Sequence, residues 1–219
     1  MKTKKALFYL LAGILAGCVP SLHSLFTEKD TFFDPQLVGA WSSSSESSKE
    51  TWQFTKKPDS NSYEVIFTDN DGNKGSFVGA LGKIDGMTFL DLFPDNTLME
   101  IRSNEFYQAH LVPAHTFMKI EQIQPVLKMR AMDPDKTREM LKNDPNLLKY
   151  ELIDDNRVVI TAPTQQLQKF MKEHANDKGL FDGLTELKRL EPAEPNVPDA
   201  NNAPKDVNKT AVKPKVPIQ

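Results

Sequence analysis

Residues 50–68, ETWQFTKKPDSNSYEVIFT, alternate apolar and polar side chains with a period of two. Trp52 and Phe54 fall between Thr51, Gln53 and Thr55, and Tyr63, Val65 and Phe67 share one face of the next run. Alternation of this kind marks strands with one buried face, and Lys56-Lys57-Pro58-Asp59 between them carries turn chemistry. Asp69-Asn70-Asp71-Gly72-Asn73 is a strong hairpin signal leading into a strand over 75–81. The same run also raises calcium, but an EF-hand loop needs a glutamate at its twelfth position and helices on both sides. Counted from Asp69, the twelfth residue is Ala80 and the flanks read as strands, so a simple turn is the better account. Asp85-Gly86 marks another hairpin, followed by MTFLDLF over 87–93. Strands joined by short turns, with no helical period between them, imply antiparallel order. Gly72, Gly75, Gly79, Gly82 and Gly86 recur where a sheet bends or bulges, and they match no phosphate-binding loop.

Further along, residues 96–108 have no clear period and fit a loop or a short helix. His110 to Ile120 leads into a long strand, with 125–131 as its partner. Asp133-Pro134 is a helix opening, with an acceptor cap and a proline in the first turn, and Asn143-Asp144-Pro145 is its stop. Residues 150–153 and 157–161 form one more hairpin. Thr164 is expected to cap the clearest helix, in which Leu167, Phe170, Met171 and His174 lie on one stripe, with Gly179 as its end. Leu184, Leu187 and Leu190 finish the domain as a strand or a turn of helix. The domain over 35–190 is therefore mainly β. It is an antiparallel barrel or a strongly curved sheet with two or three short helices, one of them late in the chain.

The opening Gly39-Ala40-Trp41 resembles the Gly-x-Trp signature at the first strand of lipocalin-like barrels. The resemblance implies that the indole plugs one end of the barrel and that the glycine allows close backbone approach. A late helix against a nearly closed sheet is similar to the same pattern. Inward-facing candidates, lining a ligand site or filling a core, are Trp41, Trp52, Phe54, Tyr63, Val65 and Phe67.

At the other extreme of the chain, Lys2, Lys4 and Lys5 precede the apolar run ALFYLLAGILA over 6–16, an order of charge and oil that reads as an export signal. The run is short of the ~20 apolar residues that a membrane helix needs. Leu15-Ala16-Gly17-Cys18 resembles the lipobox of bacterial lipoprotein signal peptides. That likeness implies cleavage after Gly17, a diacylglycerol on Cys18 and an acyl group such as palmitate on its new amino group. Several acyl chains make a firm anchor, at ~0.8 kcal/mol per buried CH2. Val19 is not the aspartate that retains such proteins in an inner membrane, so the resemblance implies the outer membrane of the cell envelope. Residues 1–17 are then the signal peptide and 18–34 a lipidated tether, although Leu25, Phe26, Phe32 and Phe33 are too apolar for a free linker.

Without Lys2, Lys4 and Lys5 the 27 basic residues fall to 24 against 30 acidic ones, a formal charge of -6. Such a balance disfavours nucleic acid as a partner. Cys18 is the single cysteine, so once it is lipidated no disulfide or thiolate remains and the core must hold the fold. Residues 191–219 hold six of the fifteen prolines and no aromatic residue, the composition of a disordered spacer or a contact arm toward the cell wall or an envelope protein. His110 and His115 supply no full metal-ligand set, the serines of 42–48 have no catalytic neighbours, and Asp154-Asp155 falls in a turn. No cofactor, metal or catalytic residue is expected. The expectation is a non-catalytic, lipid-anchored envelope protein binding a small apolar molecule or lipid in its barrel. The alternative is a structural or interaction lipoprotein without a ligand, and a hydrolase ranks last.

Overall fold

The computed structural model describes residues 18–45, 47–95, 111–154 and 156–191. Residues 96–108, which the sequence left between loop and helix, fall outside them, as do His110, the signal segment and nearly all of the proline-rich tail. Eleven strands are present: β1 (Thr31–Phe32), β2 (Gly39–Ser43), β3 (Thr51–Lys56), β4 (Ser62–Thr68), β5 (Lys74–Ile84), β6 (Met87–Pro94), β7 (Thr116–Gln122), β8 (Val126–Met132), β9 (Tyr150–Ile153), β10 (Arg157–Ile160) and β11 (Phe181–Arg189). Two α-helices lie among the described residues, α1 (Pro134–Asn143) and α2 (Thr164–His174).

Strands β2 to β8 form a meander in which each pairs antiparallel with the next. β11 then pairs with β8 on one side and with β2 on the other. Eight strands thus close into an antiparallel barrel with no free edge in the ring. The closing strand is the segment that the leucine spacing left between strand and helix. Its register sets Leu187 opposite Leu127 and Arg189 opposite Trp41. β1 lies outside the ring and pairs with β5 at Leu81 and Gly82, just past Ala80, where the β4 pairing ends.

Alternation within the strands produces two cores. Side chains pointing inward, among them Trp41, Phe54, Tyr63, Val65, Leu90 and Leu127, fill the barrel. Side chains pointing outward from β6 and β7, notably Phe89 and Phe117, build a second core with Leu167, Phe170 and Met171 of α2, Leu141 of α1 and Val158 and Ile160 of β10. Strand β6 therefore carries four consecutive buried residues from Phe89 to Leu92, because both of its faces are covered.

Local chemistry sets the helix ends. Asp133 accepts the Lys136 N–H at 2.7 Å and Pro134 occupies the first position of α1, which stops at Asn143. α2 differs from expectation. Thr164 is its first residue, Pro163 is the cap, and the Thr164 hydroxyl donates to the Ser24 carbonyl at 2.7 Å instead of capping. The helix ends at His174, five residues before Gly179, which turns the chain at φ 87° farther on.

That hydroxyl is one of several fasteners on residues 18–30. Leu25 and Phe26 are buried in the outer core, and Gln168 of α2 donates to the Leu25 carbonyl at 3.0 Å. Ser21 joins the two sheets, exchanging backbone hydrogen bonds with His115 at 2.9 and 2.8 Å and lying parallel to Ile160. Gly82 lets the Phe26 ring lie directly on β5, since a Cβ there would overlap the ring.

Candidate ligand-binding site

The two ends of the barrel differ. At one end, residues 33–38 cross the opening as an extended piece and a single 3-10 turn, Pro35–Leu37, in which the Gln36 N–H donates to the Asp34 carboxylate at 2.9 Å. Leu37 is fully buried beneath it. Trp41 fills the barrel at this level, and its indole N–H donates to the Leu37 carbonyl at 2.9 Å. The guanidinium of Arg189 lies over the Trp41 ring at 4.2 Å and donates to the carbonyls of Val38, at 2.6 Å, and Gln36. Gly39, at φ 134°, sits where any Cβ would overlap Arg189 Nη1. Ring, cation and glycine form one plug, and the close approach permitted by Gly39 is that of a guanidinium.

Tyr63 extends the plug. Its hydroxyl accepts the Asp34 N–H at 2.7 Å and donates to the Asp34 carbonyl at 2.9 Å, and its ring stacks with Phe33 at 5.1 Å. Burial pushes the phenol up to about 12. Between pH 10 and 12 the unfolded chain therefore releases a proton that the folded one keeps, and stability falls as pH rises through that window. The loss is about 2–3 kcal/mol, from ~1.36 kcal/mol per pKa unit. Urea midpoints measured between pH 9 and 12 are expected to fall more steeply for the natural chain than for Tyr63→Phe. That variant also costs about 1–3 kcal/mol at neutral pH by taking the hydroxyl partner from the Asp34 N–H.

At the opposite end, where β6 leaves and β7 enters, no described residue crosses the barrel. Inner side chains become progressively more exposed toward that end on all eight strands. On β3 the order is buried Phe54, then half-buried Trp52; on β4, buried Tyr63 and Val65, then half-buried Phe67. Strand β5 passes from buried Leu81 and Gly79 to half-buried Phe77 and Gly75, and β11 from buried Leu187 through Thr185 to exposed Gly183. A Cβ placed on Gly183 meets no described atom within 4 Å, so no described side chain fills the interior there. Trp52 and Phe67 stand 4.7 Å apart, and with Phe77 they make an aromatic wall just inside the mouth. Leu92, Met118 and Ala131 line the opposite side. Hydroxyls of Ser43, Thr116 and Thr185 are polar groups at this level, and Glu50, across from Ser43, brings a carboxylate to the rim, where it accepts from the Asn70 side chain at 3.2 Å.

Of the residues singled out from sequence, Trp41, Phe54, Tyr63 and Val65 belong to the filled, sealed half, and only Trp52 and Phe67 reach the other half. Phe77 and Gly183 went unremarked, although Phe77 lies within the strand following the hairpin signal. Arg189 was also missed, since nothing local in LKRLEP distinguishes a stacked arginine from a solvated one.

Elsewhere, the buried carboxylate of Asp91, on the outer face of β6, accepts the Leu25 N–H at 2.8 Å and pairs with His115 Nδ1 at 2.8 Å. Ser21 is close in the chain path, but its hydroxyl donates to the His23 carbonyl at 2.8 Å, so these three residues make no nucleophilic relay. The Asp91–His115 pair is a fastener for the N-terminal segment. Asp69 spends its carboxylate on its own turn, accepting the N–H groups of Asp71 and Asn73 and the Asn73 side chain, which holds it below the usual carboxylate range. Among the described residues no three His, Cys, Asp or Glu side chains converge as metal ligands. Comparison of the chain with family models, curated proteins and solved structures finds no match.

Proposed function

We propose that this protein is a lipoprotein of the bacterial envelope, held at the outer membrane through a lipidated Cys18, whose barrel takes up a small apolar molecule or a lipid acyl chain. The observation that supports the binding role is the difference between the two ends of the interior: residues 33–38 cross one, and no described residue crosses the other. A barrel that served only as a packed core would be filled at both ends. Here one end is plugged by Trp41, Arg189 and Leu37, and the other presents half-buried Trp52, Phe67 and Phe77. Apolar walls with a few hydroxyls are the usual lining of a pocket for an uncharged group. An amphipathic ligand inserts its tail and leaves its polar head at the rim. The anchoring role rests on the lipobox, Leu15-Ala16-Gly17-Cys18.

Trp52 provides the test. Titration of the signal-free chain with a long-chain fatty acid is expected to shift and saturate tryptophan emission, with the response lost in Trp52→Phe. Unchanged emission at saturating fatty acid would count against the binding role.

A further inference from the structure

The route of the chain away from Cys18 fixes how the barrel would sit on a membrane. Cys18 is exposed, yet Val19 is 2 % exposed within the outer core and Ser21 is fully buried. Pro20 accepts the Ile160 N–H at 2.8 Å and Leu22 donates to the Ile160 carbonyl at 2.9 Å, so 20–22 act as a strand between β10 and the start of β7. No flexible residue separates the cysteine from this three-stranded patch.

The register identifies the face on which Cys18 stands. Ser21 lies level with Ile160 in parallel orientation, which brings Cys18, three residues earlier, level with Arg157. Arg157 pairs in turn with Ile153 of β9. With strands ~4.8 Å apart, Cys18 and Ile153 are ~10 Å from each other across the sheet. Val19, Ser21, Val158 and Ile160 turn inward, all buried, so Cys18, Pro20, Leu22, Val159, Arg157 and Ile153 share the outward face. That face is unusually apolar for an exposed one: Leu22 is 42 % and Ile153 38 % exposed, and Pro20 and Val159 are half-exposed. Arg157 and Glu151 are its charged members on the strands.

We propose that this face is the membrane-contacting surface of the protein, lying in the headgroup layer with Leu22 and Ile153 toward the acyl boundary and Arg157 toward lipid phosphates. This placement rests on the reading of Cys18 as the lipidated residue. Acyl chains on Cys18 enter the bilayer, and the backbone becomes rigid at the following residue. The surface around the attachment point is therefore drawn against the lipid, and its apolar side chains gain a place to be buried. Charge pairing with anionic headgroups favours the same orientation through Arg157. The apolar run 6–16 joins the fold at this same point, so a chain retaining it would be held to the bilayer by the same face.

Because lipidation consumes Cys18, an Ile153→Cys substitution supplies the single free thiol for a nitroxide label. The test uses the full lipidated chain in vesicles of phosphatidylethanolamine and phosphatidylglycerol, with a Gln53→Cys label as reference on the far side of the barrel. Reconstitution is expected to raise collision of the 153 label with oxygen and to exclude a water-soluble nickel chelate, leaving the 53 label unchanged. A spacer of about ten glycines and serines between Cys18 and Val19 is expected to abolish the change while keeping the lipid. The mass of the N-terminal peptide is read on the same samples. A lipidated Cys18 with a 153 label as open to the chelate as the 53 label overturns the membrane face alone. An unmodified Cys18 overturns the anchoring role, and this placement with it.

Discussion

Replacing Trp41 by alanine is expected to destabilise the barrel by about 3–5 kcal/mol, the range for a fully buried large aromatic side chain. The indole is wholly enclosed, it satisfies the Leu37 carbonyl, and it carries the Arg189 guanidinium on its face. Its loss leaves a cavity, an unpaired carbonyl and an arginine with no surface to lie on. Those costs compare with a total stability of about 5–15 kcal/mol for a domain, so the variant is expected to be largely unfolded at modest temperature. Thermal and urea unfolding followed by circular dichroism read the effect. Trp41→Phe keeps much of the volume and loses the hydrogen bond, and it is expected to fall between the two. If Trp41→Ala unfolds within 1 kcal/mol of the natural chain, the plug does not hold the closed end.

Gly82→Val is expected to cost about 3 kcal/mol by a different route, through the outer core. A side chain at 82 occupies the place of the Phe26 ring, and burying a phenylalanine contributes about 1.5–3 kcal/mol, with overpacking adding to its loss. Displacement of Phe26 should carry its neighbours with it, because Leu25 is tied to Asp91 and Ser24 to Thr164. The measurable sign is faster amide exchange at Leu22 and Leu25, with the barrel strands β3 and β4 still protected. The combination Gly82→Val with Phe26→Ala should recover part of the loss, since the smaller residue vacates the space. Two costs that simply add would show that the ring and the glycine do not meet.

These two sites also mark what the sequence made legible. Strands β3 and β4 were readable because apolar side chains recur at every second position, as Trp52-Gln53-Phe54-Thr55 and Tyr63-Glu64-Val65-Ile66-Phe67 show. Trp41 was readable as an inward-facing aromatic, and it is buried in the barrel. Closure was harder to read. β11 returns to the first strand across the whole domain, and its inner positions are Gly183, Thr185, Leu187 and Arg189, of which only Leu187 is apolar. A glycine, a threonine and an arginine hide the period that a leucine-based pattern seeks. The outer core was only half visible. Leu167, Phe170 and Met171 announced a helix face, but its counterpart on β6 read as one apolar run, MTFLDLF, because Phe89 and Leu92 face different cores. Residues 18–34 show no period because they take their hydrogen bonds from β7, β10 and α2 in turn. The mouth of the barrel was the least legible part, since a half-exposed Phe77 and a fully buried Phe54 look alike in sequence.

The central claim is that the barrel is a cup with one open end that holds an apolar guest. Native mass spectrometry of residues 18–219 carrying Cys18→Ser, purified without detergent, addresses it directly. The account predicts species heavier than the bare polypeptide by the mass of a lipid or fatty acid, gained also on adding fatty acid to stripped protein and lost when Phe67 and Phe77 are both replaced by aspartate. Only the bare polypeptide, before and after addition of fatty acids and phospholipids, would contradict it.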